Sequence, residues 1–292
     1  MRVLHLDAGK EMRGGQWQIL RLIEGLAAEG VESTLLARAA SPLYKEARRL
    51  GWRVEAIGLT SAVRFSRQHD VMHAHDAHGH TLGAIVRGAP LVVSRRVAFR
   101  VGSRWKYDRA RHYLAVSQFV KGVLVQGGVA EEKISVVYDG VPLLEEARGA
   151  SVVSPATADA LKGAPLAVEA ARLAGVELRL STNLEEDLRQ AGIFVYITHS
   201  EGLGSGVLLA MSAGVPVIAS RVGGLPEVIR HGENGLLVEN SAEAIAEAIG
   251  QLTRDPERAR LYGHAGRQTV IERFTVDRMV RHTMEVYRRV IS

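Results

Sequence analysis

The stretch Ser200–Ser220 concentrates residues that could do chemistry: Glu201 is followed by the alternating glycines Gly202, Gly204 and Gly206, with Leu203 and Ser205 between them. An apolar run, Ile193–Thr198, precedes it and a second, Val215–Ala219, ends it. This spacing predicts a strand, a tight loop at its carboxyl end, a helix and the next strand. In open α/β sheets ligands bind at such loops, because helix amino-termini present unpaired N–H groups and the positive end of a dipole. Glycine lets a phosphate or sugar approach the backbone without a Cβ in the way. Glu201 adds one carboxylate that can accept hydrogen bonds from sugar hydroxyls. A plain strand-to-helix turn would carry the same glycines, so the loop alone leaves both readings open.

Three places in the first half have related chemistry. Gly14 and Gly15, within Met12–Trp17, form a strand-to-helix turn that a phosphate can approach. His73, His75, His78 and His80 offer zinc-type ligands. Along a strand His73 and His75 share a face while the other two lie beyond its end, and ligand type alone leaves a zinc site open. His73 reads as a buried, hydrogen-bonded histidine. A basic stretch, Arg95, Arg96, Arg100, Arg104, Lys106, Arg109 and Arg111, is interleaved with Trp105 and Tyr107. That pattern marks either contact with an anionic membrane or nucleic acid, or a solvated arginine surface.

The elements that must position these groups alternate between strand and helix. Strand-like runs fall at Val3–Asp7, Ser33–Ala37, Arg53–Gly58, Asp70–Ala74, Leu91–Ser94, Tyr113–Ser117 and Ile134–Tyr138. Helical patterns stand out at Gln16–Glu29, Ser41–Leu50, Gly79–Arg87 and Gln118–Gln126. Gly140-Val141-Pro142 breaks the series, and a second one follows: Val152–Ser154, Val176–Leu180, Ile193–Thr198, Val215–Ala219 and Gly235–Val238. Such alternation argues for parallel sheets covered on both faces. The expected division is 1–142, a linker at 143–150, a second domain at 151–275, and a final helix at 276–292. At 292 residues and 47% hydrophobic, the chain has enough material for two cores. It has no cysteine, which fits a reducing compartment. Met1–Leu6 reads as a first strand rather than a signal peptide, and no apolar run approaches the roughly 20 residues of a membrane span. Net charge is +5, from 37 basic against 32 acidic residues, which suits an anionic partner.

Glu201, Gly202, Leu203, Gly204, Ala210, Met211, Ala213, Gly214, Pro216, Val217, Ile218 and Ala219 together resemble the donor-binding segment of glycosyltransferase family 4. Val92–Val141, Gly223–Glu227 and Glu233–Val238 resemble the same family. The resemblance implies a GT-B, α/β architecture of two Rossmann-like domains with parallel sheets facing across a cleft, the last helix crossing back to the first domain. It implies a retaining, metal-independent hexosyltransferase that needs no cofactor and moves a sugar from a nucleotide-sugar to a glycan or lipid-linked acceptor. In that reading Glu201, Lys162 and His75 are catalytic, and Gly14, Gly15, Gly202, Leu203, Gly204, Ser205 and Gly206 hold the donor. Arg95, Arg96 and Arg100 lie on the acceptor side. Lys162-Gly163 resembles the Lys-Gly that opens the family's first donor-domain helix, where the lysine neutralises the departing diphosphate. The implied location is cytoplasmic and peripheral at the inner face of an anionic membrane.

The second domain departs from the pattern in three ways. Leu209 stands where the family has a ribose-binding Glu, and Thr157 where it has an arginine. After Val176–Leu180, Ser181-Thr182-Asn183 leads almost directly to the helix at Leu184–Ala191, so about one helix–strand unit is missing and a sheet of five strands is expected. Apart from this gap and Val152–Ala160, the resemblance covers the chain. The departures carry the alternative, a GT-B-like binding or vestigial protein with little or no transferase activity. A sugar-nucleotide epimerase and a nucleic-acid binder are weaker readings.

Overall fold

A computed structural model describes residues 1–102, 104–157 and 162–292; the end of the weakly similar stretch Val152–Ala160 lies outside them. The chain divides into two compact units, Met1–Gly140 with Val276–Ser292, and Val141–Thr275.

The first unit opens with strand β1 (Arg2–Asp7), helix α1 (Gly14–Ala28), β2 (Glu32–Ala37), α2 (Pro42–Arg49), β3 (Val54–Ala56) and α3 (Leu59–Ser66). It continues with β4 (Val71–Ala74), α4 (Ala77–Val86), β5 (Leu91–Arg95), α5 (Arg104–Arg109), β6 (His112–Ala115), α6 (Gln118–Gln126) and β7 (Ile134–Val136). The strands form one parallel sheet in the order β3-β2-β1-β4-β5-β6-β7. Their near-continuous apolar runs are what a sheet buried on both faces requires. The order reverses between β1 and β4, which opens a crevice at the carboxyl ends of those two strands.

The second unit holds β8 (Ser151–Pro155), α7 (Ala164–Ala174), β9 (Leu178–Ser181), α8 (Leu184–Asp187), β10 (Ala191–Tyr196), α9 (Ser205–Ser212) and β11 (Val217–Ser220). Then come α10 (Leu225–Val228), β12 (Leu236–Val238), α11 (Ala242–Arg254) and α12 (Pro256–Arg273). Its sheet has five parallel strands, β12-β11-β10-β8-β9, with the reversal between β8 and β10. The last helix, α13 (Val276–Ile291), belongs to the first unit. Its apolar stripe, Met279, Val280, Met284, Tyr287 and Val290, packs against Val3, Leu22, Leu26, Val71 and Val92. Gly25 allows α1 to approach it closely, since a Cβ there would sit 2.5 Å from Val280 Cγ2.

Each strand expected from the apolar runs is present, with ends shifted by up to two residues. Residues 143–150, the expected linker, are irregular and group with the second unit. The Ala147 N–H donates to the Ala213 carbonyl (2.9 Å), the Arg148 N–H to the Arg189 carbonyl (3.1 Å), and Arg267 Nη1 to the Leu144 carbonyl (2.7 Å). Helices α3, α5, α10, α11 and α12 do not stand out in the sequence pattern; α5 lies inside the basic stretch. Among the described residues no helix is long and apolar enough to cross a membrane.

Candidate functional site

In the second unit the sheet reversal places Lys162, Tyr196 and Glu201 together. Glu201 follows β10 by a short loop, and Gly163 anchors its neighbour Lys162 by donating its N–H to the Ile197 carbonyl at 2.9 Å. A side chain at 163 could not sit there, because its Cβ would lie 2.5 Å from Ile197 Cγ2. Lys162 Nζ reaches Glu201 Oε2 at 2.6 Å and Tyr196 OH at 3.2 Å. The Tyr196 hydroxyl donates to the same Oε2, and the other oxygen, Oε1, accepts the Gly202 N–H at 3.0 Å. The pair is largely sheltered, with 30% of the lysine and 15% of the glutamate side chain exposed. Burial, reinforced by the Glu201 carboxylate, pushes the Tyr196 hydroxyl well above its ordinary value and keeps it protonated.

The loop beside this trio is held from behind. Thr198 N–H donates to Ser220 Oγ (2.9 Å), Ser220 Oγ to Asn240 Oδ1 (2.6 Å), and Asn240 Nδ2 to the Thr198 carbonyl (2.9 Å). Gly204, at φ +98, caps α9 in the left-handed region, which favours glycine. Gly223, at φ +58, lies directly against the Glu201 carbonyl, leaving no room for a Cβ. The first N–H groups of α9, at Ser205 and Gly206, thus emerge beside a cation–carboxylate pair, an arrangement suited to a phosphorylated sugar. The Leu203 side chain is 1% exposed and belongs to the core, so its backbone is the part that can meet a ligand. Leu209 is also buried, at 8% exposed.

In the first unit the reversal between β1 and β4 brings together Asp7, His5, His73, His75 and Asp76. The register pairs His5 with His73. His5 Nδ1 meets His75 Nε2 at 2.9 Å, and His5 Nε2 meets Ser33 Oγ at 3.3 Å. His73 bonds Tyr287 OH through Nδ1 (2.6 Å) and Ser94 Oγ through Nε2 (2.8 Å). Arg96 Nη1 lies 3.5 Å from His75 Nδ1, while its Nε donates to Asp139 Oδ1 at 3.1 Å. Burial lowers His5 to about 3 and holds His73 and His75 well below their usual value, so all three are neutral near pH 7. Ring nitrogens of these three lie within 4.8 Å of one another, a spacing a metal ion could bridge. His78 is exposed on α4 and His80 turns to the Lys106 carbonyl (3.1 Å), so both stand apart from the strand histidines, as the spacing implied, and the third member of the cluster is His5.

Gly15 lies 3.8 Å, measured from where its Cβ would stand, from Arg96 Cδ, so the Gly14–Gly15 turn opens onto the Arg96–His75 pair. Gly14 itself is exposed. The turn is pinned by Gln16, whose Nε2 donates to both Asp7 oxygens at 3.2 Å, and the Gly9 N–H donates to Asp7 Oδ1 at 2.9 Å. Burial, with Asp76 nearby, raises the Asp7 carboxyl above its ordinary value. Arg95 turns back to the Phe99 carbonyl, and Arg100 is exposed beside the exposed Phe99. Sequence reasoning missed Tyr196, His5, Asp7, Asp139 and the Ser220–Asn240 brace.

Residues 12–145 match the family model described as Glycosyltransferase Family 4, and residues 175–269 match that described as Glycosyl transferases group 1. The α-maltose-1-phosphate synthase of Mycolicibacterium smegmatis is 42% identical over 121 residues, 39% of this chain and 31% of that protein. A GDP-mannose-dependent α-(1-6)-phosphatidylinositol monomannoside mannosyltransferase of Mycobacterium tuberculosis is 44% identical over 78 residues, 26% of this chain and 20% of that protein. The matched stretches thus span less than a third of these relatives' lengths. The crystal structure of Anabaena HepE in complex with UDP and glucose superposes with a TM-score of 0.87 at 17% identity, covering 98% of this chain and 99% of that one. The fold is that of the GT-B glycosyltransferases.

Proposed function

The chain belongs to glycosyltransferase family 4, and on that premise we propose that it is a retaining hexosyltransferase using a uridine-diphosphate sugar. The observation that carries this reading is the Lys162–Tyr196–Glu201 trio at the carboxyl end of β10, beside the glycine-lined start of α9. The donor's diphosphate takes the ammonium of Lys162 and the N–H groups of residues 202–206, and Glu201 accepts from the sugar hydroxyls. In the free protein Glu201 neutralises Lys162; the donor's own phosphates replace that partner. As the anomeric C–O bond to phosphate breaks, charge grows on the phosphate oxygens, and Lys162 stabilises it. The acceptor oxygen bonds to the anomeric carbon from the same face, and its proton passes to the departing phosphate. Because Lys162 supplies the positive charge, no metal is required.

The uridine choice is supported by HepE, a chain that aligns with this one over nearly its full length and was crystallised with UDP and glucose. On the first unit, Arg95, Arg96 and Arg100 form the acceptor side, for a glycan or lipid-linked acceptor, and His75 contacts the sugar being transferred. The exposed Val97, Phe99 and Trp105, set among arginines, suit a peripheral contact with an anionic membrane.

The test is calorimetric titration with UDP, GDP and ADP, with magnesium and with chelator, followed by transfer assays on Glu201→Gln. Micromolar UDP binding independent of magnesium, with transfer lost in the variant, supports the proposal. Silence from all three nucleotides, or full transfer by Glu201→Gln, overturns it.

A further inference from the structure

We infer that the first unit carries a second anion site, a pocket for a phosphate-bearing ligand at the amino-terminal end of the sheet, opposite His75 and Arg96. The pocket has a volume of about 520 Å³ and forms where α4 ends and where β5 and β6 begin. Residues 88–91 and 109–111 lead into the amino ends of those strands, whereas His75, Arg95 and Arg96 stand at carboxyl ends of the same parallel sheet. The two places are therefore separate, and this inference does not rest on the proposed transferase reaction.

Four cations, Arg87, Arg109, Arg111 and Lys133, line the pocket against one carboxylate, Asp108. Among the described residues the side chains of Arg87, Arg111 and Lys133 make no ion pair. Arg109 is already fixed at the wall. Its Nη1 makes a long bond to the Ala84 carbonyl at 3.4 Å, and its guanidinium carbon lies 4.9 Å over the Trp105 ring.

Helix α4 ends on Arg87 in the left-handed region at φ +54, where an L side chain is strained. The turns after α1, α2 and α6 use Gly30, Gly51 and Gly128 for that conformation. Gly88 is needed where it stands, because a Cβ there would collide with Ser66, so the left-handed turn falls on Arg87. Guanidinium groups bind phosphate oxygens in a fork, and Lys133 adds a point charge. A phosphate dianion or diphosphate matches an excess of three positive groups better than a single carboxylate does. The ligand is either the headgroup of an anionic lipid or a soluble phosphorylated molecule.

The experiment follows backbone amide NMR signals of the full chain during titration with inorganic pyrophosphate. Signals of Gly83, Gly88 and Arg111 report this pocket, and those of Gly202–Gly206 report the donor loop separately. In parallel, co-sedimentation compares phosphatidylglycerol with phosphatidylcholine vesicles. Both are repeated on Arg87→Gly/Arg111→Gln and on Lys133→Gln; glycine relieves the strain at 87, and the amide spectrum itself shows that the fold is kept. The expected result is a loss of about tenfold or more in affinity in the double variant, and a smaller loss in Lys133→Gln. Loss of the pyrophosphate response identifies a soluble ligand, and loss of phosphatidylglycerol binding identifies a lipid headgroup. If the variants change neither response, or the wild type gives neither, the inference is overturned.

Discussion

Acidification from about pH 7.5 to about pH 5 should destabilise the first unit strongly, through its buried histidines. The hydrogen bonds of the network assign their protons. Arg96 can only donate, so His75 Nδ1 accepts and His75 Nε2–H must donate to His5 Nδ1 at 2.9 Å. His5 Nε2–H then donates to Ser33 Oγ. An added proton on His75 would face the Arg96 guanidinium, and one on His5 Nδ1 would face an N–H. The folded state therefore refuses protons that the unfolded chain takes up near pH 6.5. A base whose folded pKa is lowered gives stability that is fully present above the unfolded value and lost as pH falls below it. For His5 the window runs from 6.5 down to about 3. By pH 5 each histidine that stays neutral loses about 2 kcal/mol, so His5, His73 and His75 together lose at most about 6 kcal/mol. That is comparable to the whole stability of a domain, about 5–15 kcal/mol. His80 and His112, lowered by burial to about 4, act in the same sense. Asp7 opposes them, since its raised pKa makes the folded state take up a proton first.

The assay is urea unfolding at constant ionic strength across that pH range, in wild type and in His5→Gln. Wild-type stability should fall with a slope of two or more protons taken up on unfolding, and the variant should lose close to one of them. A midpoint that does not move between the two pH values, or a slope unchanged in His5→Gln, would refute the hydrogen-bond assignment.

Tyr196→Phe removes the hydroxyl shared by Lys162 and Glu201; a bond to a charged group is worth about 1.5–3 kcal/mol. The second unit should lose about 1.5–3 kcal/mol, kcat/KM should fall about tenfold or more, and wild-type behaviour in both would remove Tyr196 from the site. Gly223→Ala drives a Cβ into the Glu201 carbonyl, whereas Gly232→Ala, at φ +81 with nothing within 4 Å, adds only backbone strain. Calorimetry should therefore find UDP binding lost in the first variant and kept in the second. Leu209→Glu buries a carboxylate at a position 8% exposed, so its thermal midpoint should drop in the free protein and rise on adding UDP by more than the wild type's does. An equal rise in both proteins would mean that residue 209 does not face the ribose.

What the sequence made legible, and what it did not, follows from how parallel sheets are built. Each strand is a local apolar run, so the runs at Val3–Asp7 or Ile193–Thr198 could be read directly, as could the short second sheet once Ser181-Thr182-Asn183 was seen to lead straight to a helix. The Lys162-Gly163 and Glu201 positions were legible through the family pattern. Tyr196 was not, because a tyrosine within Phe194–Ile197 reads as core; only the structure reveals that its hydroxyl leaves the strand end toward Glu201. His5 was hidden for a related reason: alone in the first strand it carries no motif. It becomes part of a site only because β1 lies beside β4, so that His5 stands opposite His73. A parallel neighbour is always separated by at least a crossover, and here strand order reverses at that pair, so the partners lie about as far apart in sequence as His5 and His75 do. The same logic hid Arg96–Asp139, joined across the ends of β5 and the chain beyond β7, and Ser220–Asn240 beyond β11 and β12. The residues that bear charge could be named from local pattern, whereas the residues that hold them depend on which strand ends the fold sets side by side.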